Sequence, residues 1–257
     1  MFNSGIATAV RTALVATCLG TASISLVSGC GLAPPSVRAA TSSPGSPTTA
    51  IGSTPGNAPA TTRTTAGGVY GDPDTAAKYW QQQSLEDNCG LASVADVVGE
   101  VTGHAPTESQ IIKLAQNTPS SIRNGPIYLP TGDPGHEGDN GGIDMADAVV
   151  LLDHYGIKSH MTYDKHPEEV GMPKLEEYLG ANRKIIAWVN SGTILGSSDQ
   201  RTTPDHFLVV TGIDTNKEIV HLNDPYADHA DTSVSIAKFM TAWKIGQESI
   251  VVTAPAS

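Results

Sequence analysis

Two hydrophobic periods divide the C-terminal part of this 257-residue chain, and the change from one to the other restricts the fold more than any other feature. From residue 89 to 179 apolar residues recur at three- and four-residue intervals. Leu91, Val94, Ala95, Val98 and Val101 fall on one side of a helix that Asp87 or Asn88 can cap, so Cys89 sits in its first turn. Thr107 and Gln110 form a capping-box pattern that predicts a second helix to about Gln116. Ile143, Ala146, Val149, Val150 and Leu152 predict a third over 142–155, and 168–179 fit a fourth. From residue 185 the pattern shortens. IIAWVNS (185–191), HFLVVTGI (206–213), EIVHLN (218–223) and SIVVT (249–253) are rich in branched and aromatic residues and bounded by turn formers, which predicts strands. Between the last two, Ile236, Phe239, Met240 and Trp243 form a helical stripe suited to a core. Helices followed by a mainly antiparallel sheet make an α+β domain.

The domain has a sharp compositional border. Residues 31–70 are almost entirely Ala, Ser, Thr, Pro and Gly, with Arg38 and Arg63 the charged residues and Tyr70 the aromatic one. Such a segment buries too little apolar surface to offset its chain entropy and reads as a disordered tether. Residues 1–30 place Arg11 before an apolar, small-residue run without an acidic group, the layout of a signal for export. One domain, 71–257, remains. All 26 acidic residues and 12 of the 15 basic ones lie in it, a surplus of 14 negative charges, which argues against nucleic acid as a partner. The stretch 118–142 has the Gly, Pro and Asp content of a long loop. Its neighbourhood holds Asp133, Glu137, Asp139 and Asp144, but not at the spacing of a helix-loop-helix calcium site, so no metal is expected.

Cys89 is the single cysteine of that domain, since Cys18 and Cys30 lie in the export segment. It has no disulfide partner there, and a thiol at a helix start feels the positive end of the helix dipole, which favours the nucleophilic thiolate. His206 opens one strand and Asp224 closes the next, a layout that brings a carboxylate to an imidazole. Asn223 is an alternative to Asp224, but adjacent strand residues point to opposite faces, so one of the two reaches His206. His221, on the same strand face as Asn223, is the rival histidine. Gln83, six residues before Cys89, can offer an amide to a developing oxyanion.

Gln83-x5-Cys89-Gly90, then His206-Phe207-Leu208-Val209-Val210-Thr211-Gly212-Ile213-Asp214, then Asn223-Asp224-Pro225 closely resemble the C39-like peptidases of the papain-like superfamily over about 79–254. The resemblance implies a papain-like fold without a cofactor. It also implies Cys89 as nucleophile, His206 as base, Asp224 as third member and Gln83 as the oxyanion-hole glutamine. The implied activity is hydrolysis of peptide or amide bonds. Leu91 stands where many members have proline, a change of packing rather than chemistry. Members that cleave double-glycine leaders are attached to ABC exporters, and that substrate is not implied for this chain. Leu26-Val27-Ser28-Gly29-Cys30 resembles the lipobox of bacterial lipoproteins, which implies lipid on Cys30 and a place at the outer face of the cell membrane. The membrane and a peptide or cell-envelope substrate are then the partners. Export segment and domain together resemble secreted actinobacterial lipoproteins, mycobacterial ones among them. Two alternatives stand beside this reading. One is a peptidoglycan hydrolase of the NlpC/P60 or CHAP kind, although the Asp-Cys-Ser-Gly signature is replaced by Asp87-Asn88-Cys89-Gly90. The other is a peptide-binding module on the same fold without turnover.

Overall fold

A computed structural model of the chain describes residues 68–133, 135, 142–197 and 202–255. The export segment, Cys30 and the tether up to residue 67 lie outside the described residues, as do Glu137 and Asp139. The last positions of the expected tether already belong to the domain: β1 (Val69–Gly71) pairs with the end of β4 (His206–Asp214). Gly71 has φ 88°, and a Cβ there would stand 2.3 Å from the Thr211 carbonyl oxygen, so this close approach needs glycine.

Short α1 (Pro73–Ala76) leads towards α2 (Cys89–Thr102), α3 (Glu108–Asn117) and α4 (Met145–His154). Then follow β2 (Ser159–Thr162), α5 (Met172–Gly180), β3 (Ile185–Val189) and α6 (Ser191–Leu195). After β4 come β5 (Ile219–Asn223), β6 (Thr232–Ser235), α7 (Ile236–Ile245) and β7 (Ile250–Thr253). The strands form one antiparallel sheet in the order β2-β7-β3-β4-β5-β6, with β1 against the second half of β4. The domain is α+β, as the two hydrophobic periods require.

Helices cover both faces of the sheet. Phe207 and Val209 of β4, with Ile186 and Trp188 of β3, pack against α2, α3 and α4. Leu208 and Val210, with Ile185, Ala187 and Val189, point the other way into α5 and α7, where Phe239 and Trp243 are fully buried. Burial on two sides explains why β4 is apolar almost throughout, with all nine residues inside.

Some expected details shift. Val101 is 47% exposed rather than part of the buried stripe of α2, because the helix is by then running out past the core. On α4 the buried side is Met145, Ala148, Leu151 and Leu152, while Ala146, Val149 and Val150 are half-buried. The cause is Asp147, fully buried on that side, which accepts from Ser120 Oγ (2.7 Å), Ser121 N (2.7 Å) and Ser121 Oγ (2.8 Å). Arg123 closes the same stretch by donating to the carbonyls of Ile127 and Gly142. The described parts of 118–142 are thus tied down by a buried carboxylate and a half-buried guanidinium that apolar periodicity does not count. The strand expected over 185–191 stops at Val189, where Asn190 accepts from Thr193 N and starts α6. Among the described residues no helix is long and apolar enough to cross a membrane, and no group of three or more His, Cys, Asp or Glu could hold a metal ion.

Candidate active site

α2 starts at Cys89, and its apolar side holds that residue against the sheet, leaving it 8% exposed. Gly90 packs so tightly beneath Ile143 and Phe207 that a Cβ would come within 2.6 Å of Ile143 Cγ1. Asn88 stands in the N-cap position but makes no side-chain cap. Its Nδ2 instead donates to Glu108 Oε1 (2.7 Å), in the first turn of α3. Glu108 also accepts from Ser84 N and Ser84 Oγ, both at 2.6 Å, so one carboxylate clamps the strap between Gln83 and Cys89. With the cap diverted, the first N–H groups of α2 remain open to another acceptor.

His206, at the start of β4, is 6% exposed, and its Nε2 lies 2.6 Å from Asp224 Oδ1. Cys89 is the other group that acts on the ring. With Nε2 taken by Asp224, Nδ1 is the ring nitrogen left for the sulfur. Burial disfavours the charged ring, but the hydrogen bond to Asp224, the pull of Cys89 and the charges on both outweigh it and push the imidazole up to about 10. The site therefore holds an imidazolium at neutral pH, beside a sulfur able to take the opposite charge.

Asp224 is itself fixed. Its Oδ1 accepts from Tyr226 N (2.9 Å), and its carbonyl oxygen accepts from Trp80 Nε1 (2.7 Å). Gln83 N donates to the Pro225 carbonyl (2.9 Å), joining the segment before the nucleophile to the segment after β5. Asn223 points away from His206, as strand alternation requires: its Nδ2 donates to Asp96 Oδ2 (2.8 Å) and the Ala76 carbonyl (3.0 Å). His221 is occupied by Asp231, 2.8 Å from its Nδ1.

The structure thus brings Cys89, His206 and Asp224 together. Gln83 is on the wall of a depression of about 470 Å³ that it shares with Gln82, Leu85, Glu86 and Tyr226. Its Nε2, however, is turned onto the carbonyls of Leu85 (2.7 Å) and Glu86 (3.3 Å). A second depression, of about 420 Å³, is lined by Ile143, Met145, Met161, Trp188, Phe207 and Ile245. Ile143 and Phe207 connect it to Gly90, beside the nucleophile. Sequence reasoning missed three supporting residues. Glu108 is the first, Trp80 the second. The third is Asp87, read from sequence only as a candidate cap of α2, which instead accepts from Tyr128 Oη (2.8 Å) and Thr131 Oγ1 (3.1 Å) and so pins the loop 127–131 beside α2. Burial, then the bond to Asp87, holds the Tyr128 hydroxyl well above its usual range and keeps it a donor.

Residues 74–250 match the model of the Peptidase_C39 like family. Uncharacterized proteins of Mycobacterium tuberculosis and Mycobacterium bovis are 41% identical to the chain over 199 residues, covering 73% of it and 85% of each of them. Among solved structures, a Bacillus anthracis protein assigned as a C39-like peptidase aligns with TM-score 0.48 and 18% identity, covering 69% of this chain and 94% of that one. The peptidase domain of Streptococcus ComA, a bifunctional ABC transporter of a quorum-sensing pathway, aligns with TM-score 0.41 and 15% identity, covering 69% and 99%.

Proposed function

This chain belongs to the Peptidase_C39 like family, and from that premise we propose that it is an exported, lipid-anchored cysteine peptidase acting through Cys89, His206 and Asp224. The observation that carries the reading is a buried imidazole held between Asp224 Oδ1 at 2.6 Å and the sulfur at the start of α2. The Cys89 thiolate, its proton held on His206, attacks a carbonyl carbon. The oxyanion takes the uncapped N–H of Cys89 at the positive end of α2. His206 then protonates the leaving amine, and water activated by the same ring releases the acyl-enzyme. Asp224 holds the ring in the tautomer that turns Nδ1 to sulfur and stabilises its charge. Gln83 joins the oxyanion site only by releasing the Leu85 and Glu86 carbonyls, so in this reading its amide turns when substrate binds.

Residues 1–30 act as the export signal, Cys30 as the lipid anchor and 31–67 as the tether, so the substrate is a peptide at the outer face of the cell membrane. The family match supports a peptidase over peptidoglycan hydrolases of the NlpC/P60 or CHAP kind. One observation favours a second reading, a module that binds peptide without turnover: the amide of Gln83 is occupied. Labelling of cell-envelope extract with a cysteine-directed acyl probe separates the two. Acylation in wild type that disappears in Cys89→Ala, followed by deacylation, supports the peptidase. An unlabelled Cys89 in folded protein leaves the binding module.

A further inference from the structure

α2 is an apolar helix with one polar stripe. Ser93, Asp96 and Glu100 follow Cys89 at steps of four, three and four residues, and Ser93 and Asp96 are buried with the Glu100 side chain nearly so. Asp96 Oδ2 accepts from Asn223 Nδ2 at 2.8 Å. Glu100 Oε2 lies 2.9 Å from Lys184 Nζ, just before β3. This leaves Asp96 Oδ1 and Glu100 Oε1, both buried, without an N–H or hydroxyl donor among the described residues. The two carboxyl groups stand one helical turn apart on α2, each with one buried oxygen that lacks a donor. Two carboxylates cannot satisfy one another, because neither has a donor. A single proton between them turns both unpaired oxygens into a donor and an acceptor.

The electrostatics assign that proton. Burial and then the charge of Glu100 push Asp96 well above the usual carboxylate range, against the bond from Asn223 and the charge of Lys184. Glu100 is raised by burial too, but Lys184 pulls it back, while Asp72 at the start of α1 opposes. Asp96 therefore carries the proton, and Glu100 keeps its charge opposite Lys184.

The place of this pair in the fold gives it a role. Asn223 immediately precedes Asp224, and its side chain is bound on every side. Its Nδ2 is held by Asp96 Oδ2 and the Ala76 carbonyl, and its Oδ1 accepts from Asp231 N (3.2 Å). One helix thus holds the nucleophile at its start and, seven residues later, the strand end that presents the carboxylate to His206. We infer that Asp96 is a positioning residue of the Cys89, His206 and Asp224 site, which shares one proton with Glu100 and fixes Asn223 so that the next residue meets the imidazole. The role rests on the cysteine-peptidase reading above.

The test uses the full chain and two readouts: the rate of Cys89 carboxamidomethylation by iodoacetamide, located by peptide mass spectrometry, and the thermal midpoint from pH 5 to 9. Asp96→Asn mimics the protonated acid, keeping an acceptor for Asn223 and a donor for Glu100. It should alkylate within about twofold of wild type at pH 6, and its midpoint should pull ahead of wild type as pH rises, because the native chain then keeps a proton that the unfolded chain has lost. Asp96→Ala removes both bonds and should slow alkylation at least about tenfold. If it is unfolded, Asp96→Ser, too short to span Asn223 and Glu100, takes its place. A midpoint gap between Asp96→Asn and wild type that stays constant with pH overturns the shared proton. A folded Asp96→Ala or Asp96→Ser that alkylates at the wild-type rate overturns the positioning role alone. Wild type alkylating no faster than His206→Ala defeats the catalytic reading and this role with it.

Discussion

Removing the Asp224 carboxylate should uncouple the imidazole from its charge. The His206 ring is raised from 6.5 to about 10 although it is buried, so the folded site favours the imidazolium by about 5 kcal/mol. The hydrogen bond to Asp224 is the largest of the effects that raise the ring, and a positioned acid–base group is worth about a hundredfold or more in rate. We therefore expect Asp224→Ala to lower turnover by about two orders of magnitude, and Asp224→Asn, which keeps a bond but no charge, to fall in between. The linkage gives a second readout. A histidine raised in the fold contributes stability that is fully present below its unfolded value of 6.5 and is lost as pH rises through about 10. Wild-type stability should therefore decline across that window, and the decline should shrink in Asp224→Ala. The assay pairs peptide turnover with NMR titration of the His206 ring. A ring that titrates alike in wild type and Asp224→Ala would falsify the reasoning. So would a larger catalytic loss in Asn223→Ala at equal folded fraction.

Three further outcomes follow from the same geometry. Glu108→Ala releases Ser84 and Asn88 and so loosens the strap that leads into Cys89, so kcat should drop about tenfold with little change in KM, as steady-state kinetics on any cleaved peptide will show. Gly90→Ala drives a Cβ into Ile143 and should cost about 1 to 3 kcal/mol in denaturant unfolding; an unchanged midpoint refutes the tight packing beneath the nucleophile. Cys30→Ala should move the protein from the detergent phase to the aqueous phase on fractionation, and retention in detergent removes the lipid anchor from the reading.

The parts of the fold that could be read from sequence are those where burial writes a pattern. β3, β4 and β7 are enclosed on both faces, so runs such as HFLVVTGI stand out, and β5 shows an alternation of half-buried and buried residues. β2 and β6 do not. They are edge strands with sequences SHMT and TSVS, half open to water, and their identity depends on a neighbour's backbone rather than on their own side chains. β1, three residues VYG at the border of the Ala/Ser/Thr/Pro segment, is a strand only because the end of β4 offers it a partner beyond the reach of β3. Periodicity also tells which side of a helix is buried without telling against what, so the division of α2, α3 and α4 from α5 and α7 across the sheet had no sequence signal.

The candidate site divides along the same line. Cys89, His206 and Asp224 could be singled out because each sits at the end of an element, where chain direction and strand alternation fix what it faces. Period two says that one of Asn223 and Asp224 reaches His206, but it was the resemblance of Asn223-Asp224-Pro225 to the C39-like peptidases, with the stronger pull of a carboxylate on an imidazole, that pointed to Asp224. Glu108 was beyond reach, because its role depends on how the start of α3 lies against residues 84–88, a matter of packing alone. Asp96 is the intermediate case. Ser93, Asp96 and Glu100 recur with Cys89 at helical spacing inside a helix whose other positions are mostly apolar, so a polar stripe running back from the nucleophile was present in the letters. On a surface helix such a stripe is the solvated side and carries no message. Here Leu91, Val94, Ala95 and Val98 are fully buried as well, so the polar stripe has no water to face and must find partners inside. Asn223 is the partner of Asp96 and Lys184 that of Glu100, while Ser93 Oγ has none among the described residues. The residue that settles which side chain reaches His206 is thus held by a carboxyl group seven positions along the nucleophile's own helix.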